Sequence, residues 1–155
     1  MADDIVIMPL QCATQWDSLA HVGYDSRACN DVRSSAVTTA GGATRNSFPK
    51  VAEHLAGRGV LLDIPGLNEA GRLEPDYEAT AGDLTAAAKE NLRIESGDLV
   101  LARTGWYQHF LAGDSATYIA QPHPGLGLST CPWLYDNQVA VIACDNVAVG
   151  VRPSR

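Results

Sequence analysis

Short, continuous apolar runs recur along the chain and give the first indication of its fold. Three of them, residues 59–64, 98–102 and 138–144, have the length of a strand and do not alternate with polar positions. A fourth run, residues 4–8, opens the chain. A strand that is covered on both faces is apolar at successive positions, so these runs predict buried strands of a parallel or mixed sheet.

Helical patterns separate the predicted strands. The clearest begins at Thr80, since Asp83 follows three residues later, as in a capping box. The apolar positions that come next share one helical face: Leu84, Ala87, Ala88 and Leu92. Further helices are predicted around residues 49–55, around residues 107–111, and from Thr130, where a proline falls in the first turn.

Strands that alternate with helices are typical of layered α/β structures. The order of elements therefore predicts an α/β fold with a largely parallel or mixed sheet, rather than a helix bundle or a β-sandwich. Residues 23–47 and 65–79, rich in Gly, Pro and small polar residues, are predicted surface loops. With no internal repeat or interdomain linker in view, residues 1–155 are predicted to form a single domain.

The net charge of the chain limits the classes of molecule that it is expected to bind. The 11 Lys and Arg residues against 18 Asp and Glu give a net charge of −7, with a pI near 4.9. This balance argues against nucleic acid and anionic membrane surfaces and leaves a small-molecule substrate as the predicted partner. No apolar run approaches the roughly 20 residues that cross a bilayer, and residues 1–10 lack a signal-like pattern, so a cytoplasmic location is expected.

The cysteines indicate no metal knuckle and no disulfide framework. Cys12, Cys29, Cys131 and Cys144 are widely spaced and form no Cys-x-x-Cys pair. They are predicted to be ordinary, mostly buried thiols.

The strongest candidate chemistry follows the first predicted strand. Gln11, Gln15, Asp17 and His21 are spaced so that an extended segment and a following helical turn would bring a carboxylate and an imidazole together. Such a pair could act on a metal ion or a water molecule in hydrolysis. The alternative is structural, with Asp17 as a helix N-cap and His21 as a half-buried helix residue.

This segment resembles the signature of a known family. Residues 11–21, Gln-Cys-Ala-Thr-Gln-Trp-Asp-Ser-Leu-Ala-His, are similar to the His-x-Gly-Thr-His-x-Asp-x-x-x-His motif of the cyclase family that includes bacterial kynurenine formamidases and isatin hydrolases. A subgroup with Thr-Gln-Trp-Asp in place of Thr-His-x-Asp matches more closely. Further segments extend the resemblance over nearly the whole chain: residues 57–64, 97–106, 124–127, 133–134 and 143–149.

The resemblance implies a swivelling β/β/α fold and a metal-dependent, arylformamidase-like hydrolase acting on a carbon–nitrogen bond of a formamide or cyclic amide. It places the metal ligands, for zinc or manganese, on Gln11, Gln15 and Asp17, and the general acid/base on His21. Both histidine ligands of the motif are glutamine here. An amide oxygen is a harder and weaker donor than imidazole, which shifts the expected preference from zinc toward manganese or magnesium.

The resemblance also implies that the chain is incomplete at both ends. Family members continue past the position of Arg155 and supply a further His and Glu to the metal from that later segment. A truncated chain or a degenerate relative is therefore expected, and a second class of function stays open: a non-catalytic remnant, expected to be a homo-oligomer, that binds a small molecule or a partner chain. A third possibility, a metal-independent hydrolase with Cys12 as nucleophile, finds only His21 as a nearby base.

Three further residues are candidate substrate contacts: Arg103 for a carboxylate, and Trp16 and Trp106 for stacking on an aromatic ring. A structural role is the alternative for each of them. Asp63 and Asp145 also follow predicted strands, where a carboxylate can approach a site, although turn-capping is the commoner role of Asp at such positions. His54, His109 and His123 are assigned surface or structural roles.

Overall fold

The computed structural model of the chain describes residue 7 and residues 14–88 and 92–153. Gln11, Cys12 and, apart from residue 7, the predicted opening strand lie outside the described residues. The chain divides into two compact units, Met1–Ala56 and Gly57–Arg155. The interpretation of residues 1–155 as one domain stays a prediction.

The first unit is built from very short strands. Three form an antiparallel sheet and two form a hairpin: β1 (Gly23–Tyr24), β2 (Arg27–Ala28) and β3 (Val32–Arg33), then β4 (Val37–Thr38) and β5 (Gly42–Ala43). Asp25 and Ser26 both take positive φ, 49° and 62°, which is the backbone that a two-residue hairpin turn requires. The segment predicted as a loop thus contains paired strands, and most of its residues are exposed.

The prediction of a helix around residues 49–55 is wrong. Two 3₁₀ turns stand there instead, Phe48–Lys50 and Ala52–His54, separated by Val51. Their side chains are mostly exposed, so no buried apolar face supports a longer helix.

The second unit contains the remaining strands and all the helices named here. In chain order they are β6 (Gly59–Asp63), β7 (Glu78–Ala79), α1 (Ala81–Ala88), β8 (Leu99–Arg103), α2 (Tyr107–Leu111), α3 (Ser115–Ile119), β9 (Gly125–Leu126), α4 (Thr130–Asp136) and β10 (Val141–Cys144). Parallel pairing joins β6, β8 and β10 in the order β10-β8-β6, and also joins β7 to β9. The α/β class with parallel and antiparallel strands is confirmed, as are the three internal predicted strands and the helices at residues 107–111 and 130–136.

The predicted capping box begins α1. Thr80 Oγ1 accepts a hydrogen bond from the Asp83 backbone N–H at 3.3 Å, and the Asp83 carboxylate accepts one from the Thr80 N–H at 2.7 Å. Burial would raise the pKa of Asp83, but hydrogen bonds from Thr80 and Tyr77 outweigh it and leave that pKa below its ordinary value. The sequence therefore identified both the start of this helix and the atoms that stabilise it.

In β6 and β8 one face of the parallel sheet is buried and the other is partly exposed, which corrects the expectation that these strands are covered on both faces. On the edge strand β10, Val141 belongs to the second face and is buried. Val60, Leu62 and Val100 point into a core shared with α1 and α4. On the opposite face Leu61 is 57% exposed and Leu101 is 41% exposed, and these two residues are register partners. A strand with two covered faces and a strand with leucines on a half-exposed face give the same apolar run. The sequence pattern therefore overestimated the burial of Leu61 and Leu101.

The cysteine prediction is also wrong for two residues. Cys29 lies in an exposed turn of the first unit and Cys131 on the exposed side of the first turn of α4. Cys144, at the end of β10, is partly buried, and its burial raises the pKa of the thiol to about 12. Within the described residues no helix is long and apolar enough to span a membrane.

The two faces of β6 provide a matched test of this arrangement. Leu62→Ala should lower the free energy of unfolding by about 2–5 kcal/mol, because the side chain is fully buried and its removal leaves a cavity. Leu61→Ala, one residue away on the other face, should cost less than about 1 kcal/mol. Urea unfolding of both variants measures the difference, and equal losses would contradict the assignment of the faces.

Candidate functional site

Asp17 and His21 lie close together in the first unit. His21 Nε2 is 3.8 Å from Asp17 Oδ1, and both side chains are about half exposed, 50% and 53%. Residues 18–21 form a turn rather than a helix, with the His21 N–H donating to Ser18 O at 2.9 Å and the Ala20 N–H to Ser18 Oγ at 3.2 Å. The structural alternative of a helix N-cap and a helix histidine is therefore wrong, while the predicted proximity of carboxylate and imidazole is present.

The neighbouring candidates are only partly placed by the structure. Gln15 is exposed two residues before Asp17. The Trp16 ring is 45% exposed and lies 5.7 Å, centroid to centroid, from the Phe48 ring, so one side of it stays open to solvent. Gln11 lies outside the described residues, as does Cys12.

Few possible metal ligands lie near one another in the described residues. Among residues 14–88 and 92–153, no three His, Cys, Asp or Glu side chains come close enough together to hold a metal ion. Asp17 and His21 form a pair, and within the described residues a further protein ligand would have to be an amide or carbonyl oxygen, such as that of Gln15. Oxygen donors with open positions for water fit a hard divalent cation better than zinc, which favours three or four nitrogen or sulfur ligands.

The second unit has its own polar cluster, at the carboxyl ends of the parallel strands. Arg103 Nη1 lies 2.6 Å from Asp63 Oδ1, and Arg103 Nη2 donates to Gly71 O at 2.8 Å. Asp63 also accepts a hydrogen bond from the Gly66 N–H at 3.3 Å, as its predicted turn-capping role requires. Arg103 thus has structural partners, and its role as a substrate contact stays a prediction.

Asp145 connects two strands at this edge. Its carboxylate accepts three hydrogen bonds, from the Thr104 N–H at 2.6 Å, the Thr104 hydroxyl at 2.6 Å and the Gly105 N–H at 2.8 Å. The predicted capping role is correct, but the turn it caps follows β8, about 40 residues away in sequence. The Asp-Asn pair after β10 indicates that Asp145 caps a turn, but the local sequence does not show which turn it caps.

Trp106 is part of the core. Its ring is 2% exposed, its Nε1–H donates to Tyr118 O at 3.1 Å, and it lies 4.5 Å from the His109 ring. These contacts fit the structural alternative better than stacking on a substrate. His109 in turn lies 3.5 Å from the Asp114 carboxylate, and His54 is exposed in a 3₁₀ turn.

His123 is the most unusual histidine of the described chain. It is 2% exposed, its backbone pairs with that of Arg152, and its Nδ1 has no hydrogen-bond partner. Burial lowers the pKa of His123, and the neighbouring positive charge of Arg152 lowers it further. The sequence assigned it a surface or structural role without any sign of this burial.

Sequence reasoning also missed a cleft on the helical side of the second unit. It has a volume of about 770 Å³ and lies between α1, α4 and residues 93–96, with Arg93, Trp133 and Asp136 among its lining residues. Its lining comes from three separate stretches of chain, so no local motif marks it.

Comparison with known proteins identifies the family. A family model described as "Putative cyclase" matches residues 3–151, and the chain belongs to this cyclase family. A crystal structure described as that of a novel cyclase is 34% identical, with a TM-score of 0.86, and the match covers 99% of this chain and 53% of that one. This match confirms the predicted cyclase-like fold.

A second solved structure is more distant. It is an isatin hydrolase bound to the product analogue thioisatinate, 21% identical with a TM-score of 0.49, and the match covers 60% of this chain and 36% of that one. None of the curated proteins matches the chain. The chain spans about half the length of the novel cyclase.

The Asp145 contacts can be tested by removing their acceptor. Asp145→Ala should lower the free energy of unfolding by about 2–4 kcal/mol, because the buried Thr104 hydroxyl and two N–H groups lose a charged acceptor. Asp136→Ala, which removes an exposed carboxylate from α4, is the control and should change stability by less than about 0.5 kcal/mol. Similar urea midpoints for both variants would show that the Asp145 contacts contribute nothing.

His123 should make the protein sensitive to acid. Its lowered pKa means that the unfolded chain takes up a proton below about pH 6.5 while the folded chain does not, so stability falls as the pH drops from 6.5 toward 5. His123→Leu should flatten this part of the stability profile, whereas His54→Leu, at an exposed site, should leave it unchanged. Thermal unfolding at pH 7.5, 6.5, 5.5 and 5.0 gives the profile, and an unaltered slope in His123→Leu would contradict the role of His123.

Proposed function

We propose that this chain is a hydrolase of the cyclase family that cleaves a carbon–nitrogen bond of a formamide or cyclic amide. The observation that carries the proposal is the Asp17–His21 pair, 3.8 Å apart and open to solvent, on the segment that resembles the family signature. Family membership supports the assignment, and the arylformamidase-like activity, a place in tryptophan catabolism and the cytoplasmic location belong to the proposal.

Asp17 and Gln15 are the residues that would hold a divalent cation, together with Gln11 from outside the described residues. Carboxylate and amide oxygens favour manganese or magnesium, and zinc is the weaker candidate. A bound cation would supply Lewis acidity for a carbonyl oxygen and for a water nucleophile near neutral pH.

His21 performs the proton transfers. Its Nε2 accepts a proton from the attacking water, and the same atom later donates a proton to the leaving nitrogen of the amide. The Asp17 carboxylate stabilises the imidazolium in between, because it lies 3.8 Å away and the distance permits a direct electrostatic interaction. Trp16, with one side of its ring open to solvent, can contact an apolar part of the substrate.

Two variants separate metal binding from proton transfer. Asp17→Asn should lower the bound manganese per chain after dialysis, since the only carboxylate of the pair is lost. His21→Ala should retain the metal and lose about 10²- to 10⁴-fold in kcat, the usual contribution of a general acid/base. Elemental analysis and turnover of formamides and cyclic amides measure the two effects, with Asp25→Asn and His54→Ala as exposed controls in the same unit.

Full turnover in both Asp17→Asn and His21→Ala would contradict the proposed site. The second candidate function, a non-catalytic chain that binds a small molecule or a partner, is favoured by the absence of a three-ligand cluster in the described chain and by its exposed apolar side chains. That candidate predicts no bound metal in the native chain and no turnover in any variant.

A further inference from the structure

The turn that joins Asp17 to His21 is held by two hydrogen bonds to one residue, Ser18. Its backbone carbonyl accepts the His21 N–H at 2.9 Å, and its hydroxyl Oγ accepts the Ala20 N–H at 3.2 Å. Serine is favoured at the first position of a β-turn because its hydroxyl can bind the N–H two residues later. Ser18 and Ala20 are half-buried, so water competes less with the second hydrogen bond than at an exposed site.

The proximity of Asp17 and His21 comes from this turn and not from a helix. In an α-helix, side chains four residues apart meet because the backbone repeats every 3.6 residues. Residues 17–21 are not helical, so that period does not account for the 3.8 Å between Asp17 Oδ1 and His21 Nε2. The distance is therefore set by the local conformation of residues 18–21.

Asp17, the other member of the pair, is restrained from the residue before it. The Trp16 ring packs on the Phe48 ring, with 5.7 Å between the ring centroids and 46° between the ring planes, and this contact restrains the chain on the amino side of Asp17. On the carboxyl side, the two hydrogen bonds to Ser18 restrain His21. One of these two uses a side chain, so a substitution at Ser18 can remove it while the backbone hydrogen bond stays available.

We propose that Ser18 is a positioning residue, which holds the His21 imidazole where it reaches both Asp17 and the reacting water. This inference rests on the proposed function, in which His21 transfers protons. Ser18 acts through the backbone: while its Oγ binds the Ala20 N–H, the orientation of that peptide group is fixed, and with it the direction in which His21 leaves the turn. Ser18 itself exchanges no proton with the substrate.

Steady-state kinetics test the proposal, with formanilide, an aryl formamide, and isatin, a cyclic amide, as the probes. Ser18→Ala should lower kcat about two- to tenfold, the range that corresponds to the net contribution of one hydrogen bond, and should leave KM unchanged. Ser18→Thr keeps the hydroxyl and should restore the native kcat. Thr38→Ala is the matched control in the same unit, because Thr38 Oγ1 accepts the Gly41 N–H at 2.9 Å in a different turn.

A double-mutant cycle separates positioning from a general loss of stability. Because Ser18 acts through His21, Ser18→Ala should have no further effect on kcat in the His21→Ala background. A loss of stability would instead lower turnover by the same factor in both backgrounds, since it reduces the fraction of folded protein. Bound manganese should be the same in Ser18→Ala as in the native chain, because Asp17 is intact.

Nuclear magnetic resonance gives a readout that does not require turnover. A nuclear Overhauser effect between the His21 ring protons and the Asp17 β-protons should be present in the native chain and in Ser18→Thr, and weaker in Ser18→Ala. The Ala20 amide should exchange with solvent faster in Ser18→Ala, because its acceptor is lost. The ring signals of His54, an exposed histidine in the same unit, should not change.

Three results would overturn the proposal. They are a native kcat in Ser18→Ala, a loss of kcat that is equally large in the His21→Ala background or that Ser18→Thr does not restore, and an unchanged Overhauser effect between His21 and Asp17 in Ser18→Ala. A failure of the proposed function gives a different result, because His21→Ala then keeps full turnover or the native chain has none. In that case the Overhauser effect in Ser18→Ala alone decides whether Ser18 positions His21.

Discussion

Two aspartates at opposite ends of β8, the buried Asp98 and the partly buried Asp145, connect the central strand to its neighbours. Before the strand, Asp98 accepts hydrogen bonds from Arg58 Nε at 2.9 Å, Arg58 Nη2 at 2.7 Å and the Glu95 N–H at 2.7 Å. Arg58 accordingly lowers the pKa of Asp98. After the strand, Asp145 binds the Thr104–Gly105 turn. Both neighbouring strands are thus fixed in register to the central one, and the position of Arg103 and Trp106 follows from that register.

Elements of the fold were predictable where one short stretch of sequence contains the whole pattern that determines them. The capping box at Thr80 and the apolar runs of β6, β8 and β10 are of this kind. The contacts of Arg58 with Asp98 and of Thr104 with Asp145 are not, since they join residues about 40 positions apart. Burial of His123 and exposure of Leu61 likewise depend on what packs against them, which a local pattern does not contain.

The candidate site, like the fold, was predictable only where its residues are close in sequence. The spacing of Asp17 and His21 places them on one turn, and the resemblance to the cyclase signature gives that pair a role. The number of metal ligands depends on segments that are distant in sequence, so the motif alone does not settle it. The indole of Trp106 shows a further limit of local patterns, because its residue type is compatible with stacking on a substrate or with core packing, and only the structure shows that it is 2% exposed.

The three parallel strands are separated along the chain, so they are synthesised at different times, in the order β6, β8 and β10. The ribosome completes β6 roughly 80 residues before β10, and at 5–20 residues per second this interval is about 4–16 seconds. Throughout that time β6 lacks one or both of the strands that complete its sheet, and the Asp145 contact with Thr104 cannot form before Asp145 is made. The nascent chain therefore exposes Val60 and Leu62 for seconds, an interval in which a chaperone would bind it most readily.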